Sequence, residues 1–283
     1  MTKFGVAGNS NSFYEQGHLR TVEAAKWCKD RGIDLFEYSF GKGINMSDST
    51  AEEIGRAFND NGVEMSVHAP YYINFANPDP IMIGKSVDYV IRSLAKLQAL
   101  NCGDRLVFHP AAQGKQERLA AVNLARDNIK ILAEAIKEYN FTDYKICIET
   151  MGKLGQIGTV EEVIDFVNLA PFFYPCIDFG HINARTMGSI KTADDYENII
   201  RYMLDNTDEY KVKNMHVHFS KIMYGNSGEI KHLTFADDIY GPNFLPLAEI
   251  LHKYNLSPVI VCESDGTQAE DAIYMKKVYE SLI

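Results

Sequence analysis

A chain of 283 residues with 46% hydrophobic and 23% charged residues has the composition of a folded, soluble enzyme and excludes a disordered or collagen-like polymer. Its formal charge of −10 excludes broad nonspecific affinity for nucleic acid, although bound divalent ions would add local positive charge that composition omits. No apolar run approaches the roughly 20 residues that span a bilayer, and MTKFGVAGNS carries no secretory signature, so a cytoplasmic protein with no membrane partner is expected.

In chain order, short β-branched or aromatic runs alternate with longer amphipathic segments. Strands are expected near 4–8 and 35–40, followed by helices over 17–31 and 50–61, with Gly32 and Gly62 where those helices stop. The third strand, 65–71, contains SVHAP and His68, and Asp79 with Pro80 opens the helix over 80–100. The fourth, 105–110, reads VFHP and carries His109; in the helix over 115–139, Leu119, Val122, Ile129, Leu132 and Ile136 make one inward stripe. The fifth, 145–150, ends in CIET on Glu149, and Thr159 with Glu162 forms a capping box for the helix over 159–169. The sixth, 174–179, reads CIDFGH with Asp178 and His181, and precedes a helix over 192–206. The seventh, 214–219, is MHVHF with His216, and the connection 221–242, KIMYGNSGEIKHLTFADDIYGP, is the longest, a length that in a compact domain is functional or disordered. A helix over 243–254, a last strand, 258–263, with VCES and Glu263, and a helix over 267–282 complete the set.

Eight strand–helix units predict an α/β chain folded as one (β/α)8 TIM barrel, a single domain over 1–283. In such a barrel the C-terminal strand ends share one rim, so His68, His109, Glu149, Asp178, His216 and Glu263 would converge. A carboxylate closing an apolar strand is costly to bury unless paired, and a divalent cation is an effective partner. Imidazole with carboxylate suits zinc, manganese or iron better than calcium. Cys147, Cys176 and Cys262 sit inside apolar runs and read as small core residues; five cysteines without C-x-x-C spacing make no disulfide framework.

The motifs VHAPYYIN, VFHP, IETMG, CIDFGH, MHVHFSK and VCES resemble, in order, those of endonuclease IV, the zinc-dependent apurinic/apyrimidinic endonucleases within the xylose isomerase-like TIM-barrel superfamily. The resemblance runs from the third strand to the eighth. It implies a barrel holding three Zn2+ ions, with Mn2+ or another divalent ion as substitutes, and a monomer acting on double-stranded DNA that contains abasic sites. The implied reaction is hydrolysis of the backbone 5′ to the abasic site in base-excision repair, through a zinc-bridging hydroxide oriented by Glu149. By motif, His68 and His109 would bind the first ion, Glu149 would bridge to the second, and Asp178, His216 and Glu263 would complete the second.

His181 would belong to a third ion, where the family supplies an Asp-x-His segment. This chain reads GEIKHLTF there, so His232 takes the histidine's place and Glu229, after a one-residue insertion, the aspartate's; the alternative is Lys231 or solvent. Tyr71 and Tyr72 match the family's DNA wedge, and Lys42, Lys153 and Lys221 are the expected phosphate contacts. A sugar isomerase or 3-epimerase of the same superfamily is the alternative, with one Mn2+ or Co2+ held by Glu149, Asp178, His216 and Glu263. His68 and His109 separate the two readings, because a mononuclear site has no use for them.

Overall fold

The computed structural model describes every residue except Lys42 and Ile283. The chain begins with β1 (Lys3–Ala7), α1 (Asn11–Glu15), α2 (Thr21–Asp30), β2 (Leu35–Ser39), α3 (Asp48–Asn61), β3 (Glu64–His68), α4 (Pro80–Leu100), β4 (Arg105–Phe108), β5 (Ala111–Ala112) and α5 (Arg118–Glu138). It continues through β6 (Lys145–Glu149), β7 (Gln156–Ile157), α6 (Val160–Val167), β8 (Phe173–Asp178), α7 (Phe179–Arg185), α8 (Ala193–Asn206) and α9 (Glu209–Lys213). The last part holds β9 (His216–Phe219), β10 (Lys221–Gly225), β11 (Gly228–Leu233), α10 (Phe244–Lys253), β12 (Val259–Cys262) and α11 (Gln268–Glu280).

Eight of these strands close into one parallel barrel in the order β1, β2, β3, β4, β6, β8, β9, β12, with β12 returning to β1. Barrel strands are covered on both faces, which is why they read as near-continuous apolar runs: all four residues of β4, β9 and β12 are buried. The expected (β/α)8 TIM barrel is therefore the observed fold. At the N-terminal ends of the strands, ion pairs Lys3–Glu64 and Lys145–Asp104 close the base.

Several helices start where a side chain satisfies the free amides. Asp79 accepts from the Ile81 amide at 2.9 Å with Pro80 in the first turn of α4, and Thr159 and Glu162 cap α6 reciprocally. In α5, Ile129, Leu132 and Ile136 are fully buried, each contributing about 1.5–3 kcal/mol of burial. Leu119 leaves the expected stripe, being 65% exposed, because it lies two residues from the fully buried Ala121 and so on the opposite face of α5.

The connection 221–242 is not an irregular loop. Its first part is the antiparallel hairpin β10–β11, turning at Asn226 and Ser227 between two glycines. Among the described residues, no helix is long and apolar enough to cross a membrane.

Candidate metal centre

Parallel strands deliver their last residues to one rim. His68, Glu149 and Asp178 end β3, β6 and β8, while His109 and Glu263 each follow a strand by one residue. Glu149 is the hub of what they form. It is 1% exposed, and its Oε2 lies 3.1 Å from His68 Nε2 and 3.0 Å from His109 Nε2. Its Oε1 lies 3.2 Å from His181 Nδ1 and 3.3 Å from His218 Nδ1. Among the described residues, ligand-type atoms collect in four groups: His68, His109 and Glu149; Glu149, Asp178, His218 and Glu263; His181, Glu229 and His232; and, below the rim, Cys176, His216 and His218, each with its atoms within 4.8 Å of one another. A cavity of about 470 Å³ opens over them.

The donors fit a cation because several face one another with lone pairs. His68 Nδ1 is 2.8 Å from the Ala69 carbonyl, an acceptor, so in the neutral ring Nδ1 carries the proton and Nε2 turns a lone pair toward Glu149. His181 Nδ1 likewise meets the Thr150 carbonyl at 2.9 Å, which leaves Nε2 bare 3.4 Å from Glu229 Oε2. Asp178 Oδ1 accepts from the His181 amide at 2.7 Å, but Oδ2, on a residue with no exposed surface, has no hydrogen-bond partner. Such an orphan costs about 1–3 kcal/mol, more for a charged group, and a divalent ion is the partner this donor set fits.

Without an ion, protons take that part. Burial pushes the His181 imidazole down, yet Asp178, Glu149 and Glu229 carry it well above the usual range. Burial pushes Glu149 up, yet His109 and His218 hold its carboxyl well below the usual range. Burial prevails at His109, which is lowered, and at Glu263, which is raised.

The third group depends on how the hairpin docks. The Glu229 amide donates to the Gly152 carbonyl at 3.1 Å and the Leu154 amide to Ser227 at 3.0 Å. A side chain at position 152 would lie 2.8 Å from Glu229 and 2.9 Å from the His181 ring, so glycine there admits both. In β11, Glu229 pairs with Tyr224 and Lys231 with Met223, leaving Ile230 as an extra, bulged residue. Residues three apart in a regular strand face opposite sides; the bulge turns Glu229 and His232 to the same side. It leaves Ile230 57% exposed and Lys231 exposed.

The structure puts His218, not His216, in the group with Asp178 and Glu263. Both histidines face the barrel interior, paired with β8 as Cys176↔His216 and Asp178↔His218. His216 therefore sits roughly 7 Å lower. There it is fully buried, 3.1 Å from Glu37, and burial pushes its imidazole down to about 4. Glu37, 1% exposed beneath the rim, was not anticipated; its signal is a lone acid inside the run LFEYS, where Glu149 closes KICIE.

Of the expected DNA contacts, Tyr71 lines the cavity and packs against Tyr72, the rings tilted by 42° with centroids 4.4 Å apart and both about half exposed. Lys153 also lines it. Lys221 is engaged elsewhere: its Nζ donates to the carbonyls of Phe235, at 3.1 Å, and Asp237, so it ties down the segment after the hairpin. Lys42 lies outside the described residues.

Known proteins resemble this chain to different extents. An uncharacterized protein of Methanocaldococcus jannaschii is 28% identical over 285 residues, covering 100% of this chain and 98% of that protein. A probable endonuclease 4 of Acholeplasma laidlawii is 29% identical over 140 residues, 47% of this chain and 46% of that protein. Two solved structures are similar in fold: a D-tagatose 3-epimerase-like protein (TM-score 0.69, 19% identity, 99% of this chain and 96% of that one) and endonuclease IV from Thermus thermophilus (TM-score 0.67, 14% identity, 99% and 97%). At these identities the likeness concerns the barrel alone. Residues 25–278 match the family described as xylose isomerase-like TIM barrel, and the chain belongs to that family.

Proposed function

We propose that this chain is a metal-dependent phosphodiesterase that hydrolyses the DNA backbone 5′ to abasic sites, with zinc at up to three positions. The observation that carries this reading is the placing of His68 and His109 on Glu149 Oε2, on the side opposite the Glu149–Asp178–His218–Glu263 group. A mononuclear sugar isomerase needs only the latter. The partial likeness to a probable endonuclease 4 supports the same reading.

Divalent ions held by these residues would supply Lewis-acid stabilisation of charge on a phosphate and a more acidic water. Glu149 directs one oxygen to each side, so it sets the spacing of the groups and is the carboxylate best placed to orient an attacking oxygen. Asp178, Glu229 and Glu263 bring negative charge to the pocket, so bound cations would favour the entry of a phosphodiester. The Tyr71–Tyr72 pair offers flat, half-exposed faces to an unstacked base or sugar at the mouth.

A 3-epimerase reading draws support from one observation: Lys221 is held by carbonyls, so the rim offers fewer cations to a DNA backbone. The test is direct. Zinc-loaded protein is incubated with a duplex carrying one abasic site and, separately, with a ketohexose, each with and without chelator. Incision 5′ to the site leaving a 3′-hydroxyl, lost with chelator, is expected; epimerised sugar without incision would overturn the proposal.

A further inference from the structure

Glu37 lies directly beneath the rim, in register with Ser66 of β3. Its Oε2 accepts from the Ser66 hydroxyl at 2.7 Å and lies 3.1 Å from His216 Nε2, while its Oε1 lies 2.9 Å from His218 Nε2. The two ring contacts are close but off the N–H axis, and neither Nε2 has another hydrogen-bond partner. A carboxylate this deep in a barrel is retained only against donors. An ionised carboxylate can only accept, so each ring nitrogen facing it must bring the proton.

For His218 this choice reaches the rim. A proton held on Nε2 makes Nδ1, which hydrogen-bonds Glu149 Oε1 at 3.3 Å and lies 3.5 Å from Glu263 Oε1, the nitrogen that a cation would take in place of its proton. We propose that Glu37 is a positioning residue that holds His218 in the tautomer with Nδ1 free to bind a cation, braced by Ser66 and His216. The inference rests on the metal-binding part of the function proposed above and is independent of whether the substrate is DNA or a sugar. His216 has its own place in this account: its Nε2 faces Glu37 at 3.1 Å, and its pairing with Cys176 sets it two residues below the Asp178↔His218 pair at the rim. Carboxylates behind a metal-binding histidine typically alter affinity by about 10–100-fold.

The test uses the full chain and the metal alone. In Glu37→Gln one amide atom accepts and the other donates, so one imidazole must present a bare Nε2 and carry its proton on Nδ1. Affinity for Zn2+ by chelator competition and the visible spectrum of the Co2+-loaded protein are compared with wild type. Weakening of about 10–100-fold at one position, with the other positions unchanged, is expected. Equal affinity at every position would overturn the proposal. So would loss of an additional metal equivalent with the rim spectrum intact, because Glu37 and His216 would then hold an ion of their own. Nitrogen-15 NMR of zinc-loaded wild-type protein decides the case even where the variant does not fold: His218 should show a protonated Nε2 and a metal-bound Nδ1, and ligation through Nε2 would refute the assignment. None of these readouts depends on DNA incision, so failure here and failure of the phosphodiesterase reading are told apart.

Discussion

His109 touches Glu149 from a side chain that is still 26% exposed, so it can be removed without opening the core. His109→Ala is expected to lower abasic-site incision by about 100-fold or more while the circular dichroism spectrum stays that of wild type. Wild-type incision by that variant would take His109 out of the centre. At this scale the kinds of ligand were legible, because a carboxylate or imidazole closing an apolar run is costly without a partner. Depth was not. In MHVHF the alternation of a strand sends both His216 and His218 inward, and which one reaches the rim is decided by pairing with β8 and β12, information that lies elsewhere in the chain. Glu37 escaped for the opposite reason, since it stands in mid-strand and not at the end of its run.

The hairpin β10–β11 was the least legible element. Its bulge interrupts the two-residue period by which a strand is recognised, so segment 221–242 read as one long connection. Helix starts were far easier to read, because a cap such as Asp79 or Thr159 works through neighbours in sequence. Gly228 adopts φ +91°, and a Cβ there would run into the Gly152 carbonyl. Gly228→Ala should therefore lift the hairpin from segment 152–154 at a cost on the order of 1 kcal/mol. Metal analysis after gel filtration should find the Glu229–His232 position empty and those around Glu149 filled; an unchanged metal content would show that this contact does not seat the hairpin.

For the whole molecule, the β/α period alone carried the architecture, because eight such units have one common way to bury both faces of a parallel sheet. The rim site contributes little to that burial, so the barrel should survive chelation with reduced stability. An ion that binds only the native state at 100 times its Kd adds about 2.7 kcal/mol. Differential scanning calorimetry should accordingly show Tm falling by about 5 °C or more when chelator is added and recovering with zinc. A Tm indifferent to chelator would mean that no ion is held tightly in the native state. The docking of β10–β11 bears on the history of such a chain. Two of the ligand groups arise from the C-terminal ends of barrel strands and the third takes His181 from α7, whereas Glu229 and His232 come from an insert fastened in part by backbone contacts at 152–154. Ile222 anchors the base of that insert with no exposed surface, whereas Ile230 and Lys231 on β11 face outward, where a change disturbs neither β9 nor α10. The barrel is then a conservative inheritance and the excursion a replaceable one, so descendants of one scaffold can part in substrate by rewriting a dozen or so residues outside the core.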